Sequence, residues 1–267
     1  MEVLIRGGGD LASGIALRLH RCGLKLMITE LPQPLVVRRK VSFAEAVYEQ
    51  QVTVEGQSAF LIDRPAQRHH IWKKGGIPVL VDPELSCLRI VQPAVLVDAR
   101  MRKKPPQRGR ELAPLVIGLG PGFTAGENCH AAIETNRGHH LGRVIRKGSP
   151  QEDTRIPGAV MGYTAERVLR APAAGLLEPL VEIGERIDKD QPVCRVAGIP
   201  VTASFDGFVR GLLRKGTPVK EGMKVGDIDP RDDPGYASVI SDKARCLGGS
   251  VLEAILAHSD LREQLWS

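Results

Sequence analysis

Chemically versatile side chains crowd into one short stretch of the 267-residue chain. Cys129, His130, Glu134, Asn136, Arg137, His139 and His140 all fall within "CHAAIETNRGHH". Read as a helix, "NCHAAIETN" puts His130 and Glu134 on one face at i,i+4. Cys129 then sits near the helix start, where the dipole acidifies a thiol. Thiolate, imidazole and carboxylate together suit metal binding or acid–base work. The spacing matches no metal motif, so no metal is assigned. Cys129, Glu134 and His139 are the candidate catalytic residues, and Arg137 is a candidate for holding an anionic group. The plainer alternatives are a polar helix with a satisfied histidine, and an Arg137–Glu134 pair that simply fixes the loop.

Two glycine-rich turns accompany this cluster. Upstream of it, "LVIGLGPG" supplies Gly118, Gly120 and Gly122 around Pro121, and glycine there lets a ligand approach the backbone closely. The other turn opens the chain in "MEVLIRGGGDLASG". Gly7-x-Gly9-x-x-Ala12 follows an apolar run and precedes an amphipathic one, as a dinucleotide-binding turn does. Gly7, Gly8, Gly9 and Asp10 are therefore candidate ligand-binding positions, with Glu30 a candidate acceptor for ribose hydroxyls. Asp10 argues the other way, because a carboxylate at a helix start repels phosphate and can cap the helix itself. "RMRKKPPQRGR", residues 100–110, holds six basic side chains. It reads as a solvated loop or as an anion-gripping lid.

These residues need a scaffold. "VLIR", "LKLMIT", "IPVLVD", "AVLVDAR" and "LVIGLGPG" read as buried strands, and their alternation with helical segments predicts a Rossmann-like, mostly parallel α/β sheet over residues 1–165. In such sheets the loops after the strands gather at one edge, so both glycine turns should open on the same side. Residues 166–231 break into short β pieces whose halves echo each other, "VEIGERIDKDQPVCRV" and "RKGTPVKEGMKVGDI". They predict a small biotinyl/lipoyl-like β-barrel of the barrel-sandwich kind. Lys215, in "RKGT", lacks the flanking residues of a carrier lysine, so no covalent cofactor is expected. Residues 232–267 form a tail with one helix, read from a Ser250–Glu253 capping box and the apolar face of Val251, Leu252, Ile255 and Leu256.

Composition narrows the classes. Hydrophobic residues make up 42% and aromatics 4%, so aliphatic side chains must fill the cores. The net charge of +6 is diffuse, which suits an anionic small molecule better than nucleic acid. Five scattered cysteines without C-x-x-C argue against a disulfide framework or structural zinc. No signal pattern and no long apolar run is present, so a cytoplasmic location without membrane attachment is expected.

Seven stretches in order, "GGGDLASG", "TELPQPLVVRRKVSFAEAV", "IGLGPGFTAG", "IETNRGHHLGRVI", "IPGAVMGYTAERVLRAP", "GDIDPR" and "SDKARCLGGSVLEAIL", resemble the YqeB-type accessory proteins of selenium-dependent molybdenum hydroxylase systems. The N-terminal part is also distantly similar to the Rossmann domain of XdhC-type accessory proteins. The resemblance implies a maturation factor that binds a molybdenum cofactor, in its cytidine dinucleotide form or as a precursor, and serves a molybdenum hydroxylase apo-enzyme. An anionic nucleotide or pterin would then meet the first glycine turn, Glu30, Arg38, Arg39 and the 100–110 loop. Cys129 or the nearby histidines would meet its sulfur, selenium or metal end. Two other readings stay open: a nucleotide-dependent enzyme acting on a small metabolite, and a docking protein without a small-molecule ligand.

Overall fold

A computed structural model describes residues 1–154 and 156–266. The chain forms two compact units. One comprises Met1–Pro34, Ser42–Thr154 and Ile240–Ser267, and the other Leu35–Val41 and Arg155–Val239.

The first unit is built on a nine-stranded sheet. In chain order it runs β1 (Glu2–Arg6), α1 (Asp10–Arg21), β2 (Lys25–Glu30), α2 (Ala46–Glu49), β3 (Gln51–Val54), β4 (Gln57–Ile62), α3 (Arg68–Lys73), β5 (Ile77–Val81), α4 (Leu88–Val91), β6 (Val95–Asp98), β7 (Leu115–Leu119), β8 (Ala131–Ile133) and β9 (Val144–Ile145). The sheet order is β3-β4-β5-β2-β1-β6-β7-β8-β9. Strands β4 to β8 pair in parallel, and β3 and β9 close the edges antiparallel. The inner strands are Val-, Leu- and Ile-rich because they are buried on both faces. From the far end of the chain, α5 (Asp242–Leu256) and α6 (Ser259–Trp266) complete this unit.

Helix α5 packs along α1, and small residues set how closely. A Cβ at Gly14 would lie 2.6 Å from the Ala244 Cβ, and one at Gly248 would lie 2.9 Å from the Arg18 Cβ. Gly248-Gly249 therefore lies inside the helix rather than before it. The tail helix starts nine residues earlier than Ser250, at the Ser241 cap, whose Oγ accepts from the Ala244 N–H at 3.2 Å. Ser250 is mid-helix, and its hydroxyl donates back to Cys246 O at 3.0 Å.

The second unit carries β10 (Val168–Arg170), β11 (Gly175–Pro179), β12 (Arg186–Ile187), β13 (Pro192–Val196), β14 (Ile199–Thr202), β15 (Gly207–Leu212), β16 (Pro218–Val219) and β17 (Lys224–Asp229). They form two four-stranded antiparallel sheets, β10-β17-β15-β12 and β14-β13-β11-β16, over a core that includes Leu177, Val193, Phe208 and Ile228.

The expected Rossmann-plus-barrel-sandwich architecture is corrected by this layout. The first sheet is mixed, with an antiparallel hairpin strand at each edge. Its links from β6 to β7 and from β7 to β8 contain no α-helix, so it is not doubly wound. The second unit is two separate sheets of short strands with register shifts. Periodicity could not foresee either point, since edge direction and the gap between sheets are set by pairing partners distant in sequence.

Candidate functional site

The site is built where the parallel strands end. β1 runs into Gly7-Gly8-Gly9 and then α1, and Gly7 takes φ +91°, a conformation open to glycine. The turn is closed by its own chain. The Gly7 N–H donates to Thr29 O at 2.8 Å, and the Gly8 N–H donates to Glu30 Oε2 at 2.6 Å. The other Glu30 oxygen accepts from the Leu31 N–H at 2.7 Å. Gly8 O accepts from the Ala44 N–H at 2.9 Å, and a Cβ on Gly8 would sit 3.0 Å from that nitrogen. Two donors that a phosphate cradle needs are thus spent, and Glu30 fixes the turn rather than facing a ribose.

The second glycine turn is similarly occupied. The Gly122 N–H donates to Arg102 O at 2.8 Å, and a Cβ on Gly120 would lie 2.9 Å from the same oxygen. These glycines let the 100–110 loop lie against the turn. That loop is held by short-range bonds: Arg100 grips Asp98 through both carboxylate oxygens at 2.9 and 2.6 Å, Lys103 pairs with Asp153 at 2.6 Å, and Arg110 donates to Gly126 O at 2.9 Å. Arg38 and Arg39 lie in the other unit. Arg38 donates to Tyr236 O and Val239 O at 2.9 and 3.0 Å, and Arg39 to Leu212 O at 2.8 Å.

The predicted helix over "NCHAAIETN" is a strand, β8, because Ala131, Ala132 and Ile133 are buried beside β7. That removes the i,i+4 face. Cys129 is fully buried in the apolar core, and burial pushes its thiol up to about 12. It is a protonated core residue with no route to a nucleophile's role. His130 Nδ1 accepts from the Val116 N–H at 2.9 Å, which places the imidazole proton of the neutral ring on Nε2. His139 is exposed, edge-on to His140 at 5.3 Å between ring centroids.

Glu134, at the end of β8, keeps its place in the site. It is 3% exposed, and its two oxygens accept from the Asn136 and Gln151 N–H groups, each at 2.7 Å. It borders an open cavity of ≈ 430 Å³ whose other walls include His140, Arg143, Arg146 and Lys147. Arg137 forms a bidentate pair with Asp242, at 2.7 and 2.8 Å, in the first turn of α5.

The residue that sequence reasoning missed is the next one, Lys243. Its half-buried ammonium lies in the field of Arg137, Asp10, Glu134 and Asp242. Burial first, then Arg137, lowers its pKa below the ordinary 10.5, while the three carboxylates push back. A cation in the first turn of a helix opposes the helix dipole. That misplaced charge in "SDKARC" was the available signal. Asp10, Glu134 with Arg137, and Lys243 come from three of the seven quoted stretches and meet here.

A larger cavity, ≈ 900 Å³, is lined by residues that precede β6, β7 and β8, including Ala94, Pro114 and His130. It therefore lies at the opposite end of the parallel strands. We place the site at the smaller cavity, since Glu134, one of the charges that act on Lys243, lines it. Among the described residues no group of three or more His, Cys, Asp or Glu side chains could hold a metal ion, and no helix is long and apolar enough to cross a membrane.

These features define an α/β unit with a charged site at the carboxyl ends of its strands. No known family profile matches the chain. Among curated proteins it is similar to the uncharacterized protein YqeB of Escherichia coli (strain K12), 46% identical over 254 residues, or 95% of this chain. The resemblance to YqeB-type proteins is therefore real at the level of sequence, and the chain spans 47% of that relative's length. Solved structures were also matched. They include a succinylglutamate desuccinylase/aspartoacylase from Rhodobacter sphaeroides, at 24% identity over 34% of this chain and 31% of that one, TM-score 0.24. Another is an aspartoacylase family protein from Mesorhizobium loti, at 12% identity over 86% and 85%, TM-score 0.29. A third is the ectoine utilization protein EutE from Ruegeria pomeroyi, at 12% identity over 85% of both chains, TM-score 0.25. At these TM-scores the likenesses carry no argument about mechanism.

The expected role as a molybdenum hydroxylase maturation factor is nevertheless corrected. The geometry overturns it. The thiol meant for the cofactor's sulfur or metal end is sealed in the core, the cradle donors are taken, and Arg38 and Arg39 hold carbonyls of the other unit.

Proposed function

We propose that this chain acts on a small anionic metabolite at the carboxyl edge of the nine-stranded sheet. The observation that carries the reading is the gathering of Asp10, Glu134, Asp242 and Arg137 about the half-buried Lys243 ammonium, with Glu134 also lining the cavity. Such a group of opposed charges, shifted by burial, is a usual mark of a reactive site. The adjoining cavity supports it. Its ≈ 430 Å³ suits a small molecule, and Arg143, Arg146 and Lys147 on its walls suit an anion. Glu134 lines the cavity and is held rigid by two backbone donors, as a proton-moving group must be.

The test is a thermal-shift screen of the purified chain against small mono- and dicarboxylates, 2-oxo acids and nucleotides, repeated on Arg143→Ala and Lys147→Ala. A carboxylate that raises the wild-type Tm, and does so less in both variants, is the expected result. No stabilising small anion, or one that stabilises the variants equally, would overturn the reading and favour a docking protein.

A further inference from the structure

We infer that the larger cavity, beside the amino ends of β6, β7 and β8, is a second ligand site. It takes a monocarboxylate carried on an apolar body, with His130, His258 and Arg110 holding the carboxylate. The inference goes beyond the proposed function and uses none of its residues. Every wall of this cavity belongs to the first unit. Its ≈ 900 Å³ is enough to enclose a molecule larger than a simple organic acid. Leu88, Pro93, Leu112, Pro114 and Leu261 give it apolar walls. Ligand pockets join such walls to a few polar groups that fix the orientation of what they bind.

Here two imidazoles on the wall supply those groups. His130 Nδ1 accepts from the Val116 N–H at 2.9 Å, so the neutral ring carries its proton on Nε2, pointing away from Val116. Burial first, then Arg110 and His258, lowers the His130 pKa below the ordinary 6.5, which keeps the ring in that form. His258 Nδ1 is closed off from solvent and has no hydrogen-bond partner. A sealed N–H without an acceptor costs more than an unpaired acceptor, so this ring also carries its proton on Nε2. Among the described residues neither Nε2–H has an acceptor. A histidine kept for structure alone would spend both nitrogens on the protein. Arg110, on the same wall, gives one nitrogen to Gly126 O at 2.9 Å and has further donors to offer. Three donors, one of them charged, suit a carboxylate. Two acidic residues also reach this wall, Glu111, held by the Gly109 N–H at 3.1 and 3.0 Å, and Asp260, held by the Ser259 hydroxyl at 2.9 Å. Their charges disfavour a second anionic group on the ligand, so one carboxylate on an apolar body is the class that fits.

The probe is hydrocinnamate, titrated calorimetrically into the full chain near neutral pH. Two comparison ligands divide its features: hydrocinnamyl alcohol keeps the apolar body without the charge, and propionate keeps the charge without the ring. Hydrocinnamate should bind at least about tenfold more tightly than either. His258→Phe removes a donor and, among the described residues, no hydrogen bond of the ring. Arg110→Gln removes the charge and keeps an N–H for Gly126 O. Each variant should weaken hydrocinnamate binding about tenfold and leave binding of the alcohol no weaker, a split that a merely structural role would not produce. No binding of hydrocinnamate, equal affinity for acid and alcohol, or wild-type affinity in either variant would overturn the inference. So would loss of binding in Arg143→Ala, which would seat the probe in the other cavity.

Discussion

Glu134 illustrates how a residue can be legible in kind and not in setting. Its chemistry was visible from its type and neighbours, but the helix drawn around it was wrong, and with it the partner. A glutamate in a helix would face His130; at the end of a strand its carboxylate is taken by the backbone of Asn136 and Gln151 instead. Cys129 misled for the same reason, since a thiol beside a helix start and a thiol buried in an apolar core have opposite pKa shifts. Lys243 stayed hidden because nothing in "SDKARC" shows which loops the helix start will meet. Two substitutions test the charge arrangement. Glu134→Gln replaces one acceptor oxygen with a donor that must face a backbone N–H, so we expect a loss of about 1–3 kcal/mol in denaturant unfolding. It also deletes a charge that raises the Lys243 pKa, which should therefore fall further. Arg137→Ala should shift it the opposite way. Opposite shifts in the Lys243 titration, followed by NMR of its side chain, support the cluster, and unchanged titrations in both variants would dissolve it.

At the scale of elements, the strands of the first unit were readable because buried parallel strands are nearly unbroken aliphatic runs. "VLIR" and "AVLVDAR" pair as neighbours in the sheet, Val3 with Val95 and Ile5 with Val97. β8 was not readable, being three residues of Ala-Ala-Ile whose strand state comes from β7 and β9 on either side of it. The start of α5 was lost for a different reason: Gly248-Gly249 reads as punctuation, whereas Gly248 is a contact. The pair gives a controlled experiment within one helix. Gly248→Ala would place a methyl 2.9 Å from the Arg18 Cβ and 3.1 Å from Gly14 O. We expect it to destabilise by about 1–3 kcal/mol, as overpacking does. Gly249 has open space where a Cβ would go, so Gly249→Ala should gain the helix propensity of about 0.5–1 kcal/mol. Both are read as changes in unfolding midpoint. Similar effects of the same sign would show that α5 does not approach α1 as described.

For the whole molecule, each unit has its own apolar core, and the cysteines report on both. Cys87 and Cys129 are buried in the first core and Cys194 in the second, while Cys22 and Cys246 are exposed. Burial raises the three core thiols from 9.0 to about 12, 12 and 11 respectively. In the folded chain they hold their protons where the unfolded chain has released them. Stability against unfolding is thus intact below pH 9.0 and falls as the pH rises from there toward the folded values. The slope is about 1.4 kcal/mol per pH unit for each thiol. The carboxylate end behaves in reverse. Although burial opposes it, Arg231 and Arg210 hold Asp229 below its usual 3.8, so its contribution is present above that value and is lost as the pH falls through the folded one. Alkylation with iodoacetamide, mapped by mass spectrometry in rising denaturant, separates the two cores. At neutral pH without denaturant only Cys22 and Cys246 should react. Cys87 and Cys129 should then become reactive at a common denaturant concentration, because they share one core. Cys194 should follow the opening of its own unit, and all three should react at lower denaturant near about pH 10 than at neutral pH. If Cys87 and Cys129 opened at separate midpoints, the first unit would not be a single cooperative body, and a site assembled from both ends of its chain could not be held rigid.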